Sequence, residues 1–303
     1  MTAWLLARGQ RTLNLRCGEQ SLACCPITPE SLDTVSAPSA TATVITLAPS
    51  NAEVVDALGV FYRVIATEDS SDHPPQVASL PKLGPDLAPD LDGVAALRPG
   101  LVLSSLTVPG MERNVVGLDA RKVEQLVLAP RTLDEVMADV CRVGATLGVA
   151  ERADAVVDRM RQERRVLEER REGPPSRVYL EWWPRPMFTP GADCYSNELI
   201  ALAGGVNVFA DRAGASVEIS VAELVQASPE ICFVSWCGVP LQKLDPDRLR
   251  GREGLEELEA VQRGRVFALD ERFSGRPGPR MLEAARRMGA AIRSVRESSQ
   301  KES

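Results

Sequence analysis

Residues 93–105 read GVAALRPGLVLSS, and residues 222–235 read AELVQASPEICFVS. Each is a short amphipathic run stopped by proline and followed by apolar, partly β-branched residues, the pattern of a helix that hands the chain to a buried strand. The unit occurs once in each half of the chain, and the elements around it repeat as well. In the first half, 44–47 reads as a strand, Asn51 as the N-cap of a helix over 52–58 stopped by Gly59, 62–66 as a strand and 123–128 as the closing strand. In the second half, 178–181 reads as a strand and a loop runs to Ser196. A helix over 197–202 is stopped by Gly204-Gly205, and 264–269 closes the set. Alternating strands and helices imply parallel sheets with right-handed crossovers, and the repetition predicts two similar α/β lobes. Ligands of such sheets sit at the carboxyl ends of the strands. The loops after residues 47, 66, 105, 181, 235 and 269 are therefore expected to face one cleft between the lobes.

Between the halves, apolar residues recur at helical spacing at Val136, Val140, Val143 and Leu147, and past Gly148 at Val156, Val157, Met160, Val166 and Leu167. The run RQERRVLEERRE at 161–172 reads as a solvated helix face. The expected organisation is an N-terminal extension and linker at 1–43, a first lobe at 44–132, a connecting helical backbone at 133–173 and a second lobe at 174–303. A long rigid helix joins the lobes.

The chain has 303 residues, 44% hydrophobic and 25% charged, with a formal net charge of -7. It offers no basic field for nucleic acid, and no apolar run is long enough to span a bilayer. A monomer is expected. Residues 1–10 contain no apolar core of the roughly 7 to 15 residues that a signal peptide needs. The expected compartment is the cytoplasm, or the periplasm or cell surface if translation starts elsewhere. Seven cysteines without a C-x-x-C pair point to reduced thiols, and a single histidine, His73, excludes a multi-histidine metal site. The sequence has no P-loop, no G-x-S-x-G and no dinucleotide fingerprint, so neither a catalytic residue nor a catalytic cofactor is expected, and the chain is read as no enzyme.

Six segments in order carry a resemblance: VITLAPSNAEVVDALG at 44–59, SSDHPPQV at 70–77, LDGVAALRPGLVL at 91–103, MFTPGADCYSNELIALAGGVNVF at 187–209, SVAELVQASPEICFVS at 220–235 and RPGPRMLEAARRM at 276–288. Together they resemble the helical-backbone (class III) substrate-binding proteins of metal-chelate ABC importers, cobalamin-binding branch. The resemblance implies a ligand held between the lobes by Pro49, Ser50 and Asn51 on one side and the loop around Phe188 on the other. Phe188 falls where cobalamin binders place a ring-stacking aromatic, and Arg276 where they place an arginine. Ser70, Asp86, Ser105 and Ser216 stand where a cobalamin binder has aromatics, and Arg272 near where it has an acid. The implied function is binding of a corrinoid, cobalamin or cobinamide. Haem or a ferric siderophore is the alternative on the same fold, and a cytosolic chelate-processing enzyme using Cys237 is the alternative of another class. An ABC permease is the implied partner. Its docking glutamates correspond to Asp92 and Ala222, with Glu223 adjacent, which makes Asp92 and Glu223 the docking candidates.

Aromatics form only 4% of the chain, yet Trp182, Trp183, Phe188, Trp236 and Phe273 all fall near strand ends. They are read either as flat faces for a macrocycle or as core, with at most one of Trp182 and Trp183 facing the cleft. Cys237 is either a soft ligand for a metal centre or an inert buried thiol. His73 is either an axial ligand or a loop residue. Arg272 and Arg276 could fork onto amide or carboxylate groups of a chelate.

Overall fold

The computed structural model describes residues 42–302. The extension and linker expected at 1–43, with Cys17, Cys24 and Cys25, lie outside these residues except for Ala42 and Thr43.

The first lobe runs β1 (Val44–Thr46), α1 (Pro49–Ala57), β2 (Val64–Thr67), α2 (Leu91–Ala96), β3 (Leu101–Ser105), α3 (Glu112–Ala120) and β4 (Gln125–Leu128). Its four strands are parallel, in the order β2-β1-β3-β4. Two helices follow, α4 (Leu133–Thr146) and α5 (Ala150–Glu169). The second lobe contains β5 (Ser176–Glu181), β6 (Trp183–Pro184), β7 (Met187–Pro190), α6 (Ser196–Leu202), β8 (Gly205–Asn207), β9 (Ser216–Ile219), α7 (Val221–Ala227) and β10 (Ile231–Val234). It ends with α8 (Asp247–Arg250), α9 (Glu259–Gln262), β11 (Val266–Ala268), α10 (Glu271–Ser274) and α11 (Leu282–Glu302). Its parallel sheet has the order β8-β5-β10-β11. If β5, β8, β10 and β11 are counted as first to fourth, both sheets share the order second, first, third, fourth. The repeat in the sequence is thus a repeat in topology.

Successive strand residues point to opposite faces, and both faces are covered, so the strands are continuously apolar. In β10, Ile231 and Phe233 join one core cluster, while Cys232 and Val234 join another on the opposite face. The largest cluster is continuous across the molecule. It runs from Val44 and Leu103 of the first sheet through Val143, Val156 and Met160 of α4 and α5 to Leu180, Phe233 and Met281 of the second lobe.

The connection is a hairpin of two antiparallel helices broken at 147–149, and its second member is the long helix that joins the lobes. A Cβ on Gly144 would meet Ala153 Cβ at 2.4 Å, and Arg164 pairs with Asp134 at 3.0 Å. The twenty residues of α5 span about 30 Å at 1.5 Å per residue. Arg152 at its start donates to Gly59 O of the first lobe at 3.1 Å, and Glu163 near its end pairs with Arg286 of α11 at 2.5 Å.

Several local expectations change. Helix α1 starts at Pro49, with Ala48 as N-cap, so Asn51 lies within the first turn. Its side chain donates to Leu103 O (2.9 Å) and Ser104 O (3.2 Å), tying α1 to β3. Phe61–Arg63 is a 3-10 turn that delays β2 to Val64. The loop expected from 182 to Ser196 contains β6 and β7, which form an antiparallel sheet with β9. Gly59 (φ +69°) and Gly204 (φ +86°) end their helices in left-handed conformation, as the sequence implied.

Beneath the second sheet's edge, Glu181 is fully buried and forms a forked pair with Arg252 (2.6 and 3.0 Å). It also accepts from Tyr179 Oη and Trp236 Nε1, both at 3.0 Å. Removing one partner of such a pair leaves an uncompensated charge in the interior. Arg252→Met is therefore expected to lower unfolding free energy by about 3–5 kcal/mol in urea denaturation. A change within about 0.5 kcal/mol, as at an ordinary surface site, would show that the pair carries no such load.

Candidate functional site

The cleft is made where the topology predicts, at the carboxyl ends of strands from both lobes. It encloses a cavity of about 400 Å³ lined by Ala48 to Ser50 after β1, Ser70, Asp72 and Asp86 after β2, and Thr107, Val108 and Met111 after β3. The second lobe supplies Cys237 to Gln242 after β10 and Asp270, Glu271, Arg272, Gly275 and Arg276 after β11. The loop after β5 contributes no lining residue, because the chain turns there into the β6–β7 hairpin. The loops after β3 and β10, the equivalent third strands, place Val108 and Met111 in one wall and Val239 to Leu241 in the other. These are two apolar jaws.

Each wall is braced from behind. After β2, the buried carboxylate of Glu68 accepts from the Ser70 and Ser71 amides and from the Ser71 hydroxyl, and burial raises its pKa. Lys82 Nζ closes the same turn on Thr67 Oγ1 (3.0 Å), Glu68 O (3.1 Å) and Ser71 O (3.1 Å). After β10, Trp236 is fixed to Glu181, and Cys237 N donates to Trp182 O at 3.1 Å.

At the floor, ions from the two lobes interlock. Arg276, which precedes α11, reaches Glu53 of α1 (3.3 Å), Asp72 (2.5 Å) and Glu271 (3.3 Å), and Arg280 reaches the same Glu53 oxygen at 3.1 Å. Glu53 is only 2% exposed, and this burial raises its pKa to about 7 although Arg280 and Arg276 pull it down. Burial works against the charge on Arg276, but Glu271, Asp72 and Glu53 outweigh it and hold the guanidinium above its usual range. Glu53 Oε2 and Arg276 Nε are buried without a hydrogen-bond partner among the described residues.

Of the residues expected to bind a ligand, Pro49, Ser50, Cys237, Arg272 and Arg276 line the cavity. Arg272 is held to Asp270, its Nη2 lying 2.6 Å from Oδ2. Cys237 is open to the cleft, yet the surrounding walls push its thiol up to about 12, which keeps it protonated. The other seven do not line it. Asn51 is used in tying α1 to β3, and His73 turns to Asp56 at 3.2 Å, where burial lowers its pKa despite that carboxylate.

The aromatics went elsewhere for packing reasons. Trp182 lies against the main core, and Trp183, 43% exposed, donates to Arg185 O at 3.1 Å. Phe188 is half-buried in β7, opposite Trp183 and Glu218. Trp236 is buried in the second lobe's core, where its indole nitrogen meets Glu181. Phe273 is surrounded by Arg272, Arg280 and Arg287 at 5.9, 5.0 and 4.5 Å from its ring centre. Sequence reasoning missed Glu53, Asp72, Glu271 and the apolar jaws. Only the jaws left a signal, as apolar residues in loops after both third strands.

Asp92 and Glu223 lie far from this chemistry, at the starts of α2 and α7, the helices that precede β3 and β10. Asp92 pairs with Arg121 at 2.7 Å, and the Arg121 hydrogen bond lowers its pKa. Glu223 forms a capping box with Ser220 and pairs with Arg212 at 2.6 Å, and that bond, ahead of those to Ser220, holds its pKa near 2. Among the described residues no group of three or more His, Cys, Asp or Glu side chains is placed to hold a metal ion, and no helix is long and apolar enough to cross a membrane.

The sequence profile of the family described as "Periplasmic binding protein" matches residues 44–273. An uncharacterized ABC transporter substrate-binding lipoprotein, YvrC, of Bacillus subtilis (strain 168) is 25% identical over 256 residues, 82% of this chain and 79% of that protein. The crystal structure of the periplasmic vitamin B12 binding protein BtuF of Vibrio cholerae superposes with a TM-score of 0.69 at 23% identity, covering 84% of this chain and 97% of that one. The periplasmic heme-binding protein RhuT from Roseiflexus sp. RS-1, in apo form, gives 0.73 at 24% identity over 84% and 98%. These are substrate-binding proteins, not enzymes.

The Glu53 carboxyl has a testable signature. It binds its proton more tightly in the folded protein, at about 7 against an ordinary 4.5. Between these values the native state holds more protons than the unfolded chain, so stability falls as pH rises through the window. Glu53→Gln lacks this response. The wild-type minus variant unfolding free energy, measured in urea at successive pH values, is expected to fall by about 3 kcal/mol across the window. A flat difference would mean that the carboxyl titrates as it does in water.

Proposed function

Because the chain belongs to the periplasmic binding protein family, we propose that it binds a corrinoid between its lobes and presents it to an ABC permease. The observation that carries this reading is the chemistry of the cleft wall. Apolar residues from both lobes line the cavity together with carboxylates and guanidiniums, and no imidazole or phenol lines it. The single histidine turns to Asp56, Tyr179 and Tyr195 are buried, and Tyr62, 77% exposed, lies on the turn before β2. Haem iron bound here would find no ring nitrogen or phenolate. A corrinoid brings its own axial ligands and a rim of amides, so it needs apolar contact and hydrogen-bonding groups rather than a protein ligand to its metal. The likeness to a vitamin B12 binding protein supports the same reading.

Haem is the second reading, favoured by the Cys237 thiol in the wall and the likeness to a heme-binding protein. Burial raises the thiol's pKa, so ligation to the iron would have to expel its proton. For the permease, we propose that Asp92 and Glu223 mark the contact, one exposed acid on the equivalent helix of each lobe.

Titration of the protein with hydroxocobalamin and with diaquacobinamide, followed by absorbance and calorimetry, is expected to give saturable binding of at least one. Silence with both, together with a haem spectrum that Cys237→Ala abolishes, would transfer the site to haem. For docking, Asp92→Ala combined with Glu223→Ala is expected to leave corrinoid affinity unchanged and to weaken association with the permease. Undiminished association would move the contact elsewhere.

A further inference from the structure

The cavity is not electrically balanced. Four carboxylates line it, Asp72, Asp86, Asp270 and Glu271, against two guanidiniums, Arg272 and Arg276, which leaves two negative charges uncompensated (4 − 2 = 2). Behind it Arg280 pairs with Glu53, whose pKa of about 7 means that it offsets that arginine only in part near neutral pH. Neither arginine is at liberty to meet an anion. Arg272 is forked onto Asp270, and Arg276 is shared among Glu53, Asp72 and Glu271.

Asp86 stands apart from that network. It is half-buried in the loop after β2, and no ion pair engages it among the described residues. Its Oδ1 accepts only from the neighbouring Leu87 amide at 2.9 Å. It lines the same cavity as Cys237 of the opposite lobe. A second group in the same wall is also unmet. Arg276 is 7% exposed, and its Nε, closed to solvent, has no acceptor among the described residues. The site therefore asks for a ligand that carries positive charge.

We infer that the cleft selects its corrinoid by charge, with Asp86 as the anchor, and takes the cationic form that lacks the phosphodiester-linked nucleotide in preference to the complete cofactor. This inference rests on the corrinoid reading above and refines it. A cobalt(III) corrin carries positive charge that its axial ligands and the nucleotide phosphate offset. Without the nucleotide, the molecule is one unit more positive for the same exchangeable ligands, while its amide rim, and so its carbonyls, remain. Charge selection of this kind acts before contact and weakens in salt.

Three probes separate charge from size: cyanocobalamin, neutral and complete; dicyanocobinamide, neutral and without nucleotide; and aquacyanocobinamide, without nucleotide and singly positive. Titrating the full chain with each at low and high salt is expected to show aquacyanocobinamide bound about tenfold tighter than dicyanocobinamide, ~1.4 kcal/mol, with the gap shrinking in salt. Asp86→Asn closes that gap, and Asp86→Glu, which keeps the charge, retains it. Circular dichroism confirms that both variants have folded. Equal affinity of wild type for the two cobinamides overturns charge selection, as does a gap that survives in Asp86→Asn or ignores salt. Binding of none of the three overturns the corrinoid reading itself.

Discussion

The Glu53 carboxylate is held out of water by two arginines from the other lobe, and the cleft takes its shape from that seam. A charge buried to this extent is costly, and the forked network of Arg276 and Arg280 only offsets the cost. What the network gives is register. Two lobes in contact through apolar side chains alone could slide, whereas a guanidinium that must reach Glu53, Asp72 and Glu271 at once admits one arrangement. The loop that carries it, Arg276 to Arg280, also lies close on α1, where a Cβ on Gly278 would stand 3.6 Å from Ser50 O. Ser50 is itself a cavity residue, so the seam and the ligand wall are one piece of structure.

The seam works together with α5 and the core. The main apolar cluster is not confined to either sheet but continues through α4 and α5 into the second lobe, so opening the cleft widely would expose side chains that are now fully buried. A helix of about 30 Å whose ends are tied to opposite lobes adds stiffness that a flexible linker would lack. Both features resist wide opening of the cleft.

The architecture was legible in the sequence because it depends on period and repetition, which are local. Strands buried on both faces leave uninterrupted apolar runs, and the helix-proline-strand unit marks the third strand of each sheet. The shared strand order then places equivalent loops opposite one another without any knowledge of contacts. Asn51 was misread because a good capping side chain beside a helix start is equally a good donor to a neighbouring strand, and only the fold decides between them. The β6–β7 hairpin was invisible because Pro184, Pro186 and Pro190 interrupt it and read as loop. That omission misplaced the aromatics, since a residue just past a strand reaches the cleft only if the chain continues as a loop. Glu53 and Arg276 are 223 residues apart, and no pattern in the sequence links them.

Losing the aromatic platform changes how such a cleft can hold a flat ligand. Stacking acts at contact and is indifferent to net charge. Ser70 and Asp86 occupy positions where the resemblance led one to expect rings, and both line the cavity. In exchange, the cavity offers apolar side chains from both lobes and a cluster of carboxylates and guanidiniums. Ionic attraction extends over a Debye length, about 8 Å at physiological ionic strength, so it raises the rate of encounter as well as the residence time. It also discriminates between ligands of identical outline and different charge, which a ring cannot do. On the proposed reading, the two-lobed frame needs neither a metal-ligating side chain nor a stacking ring to be selective, because a carboxylate that the arginines of the seam leave unpaired discriminates by charge.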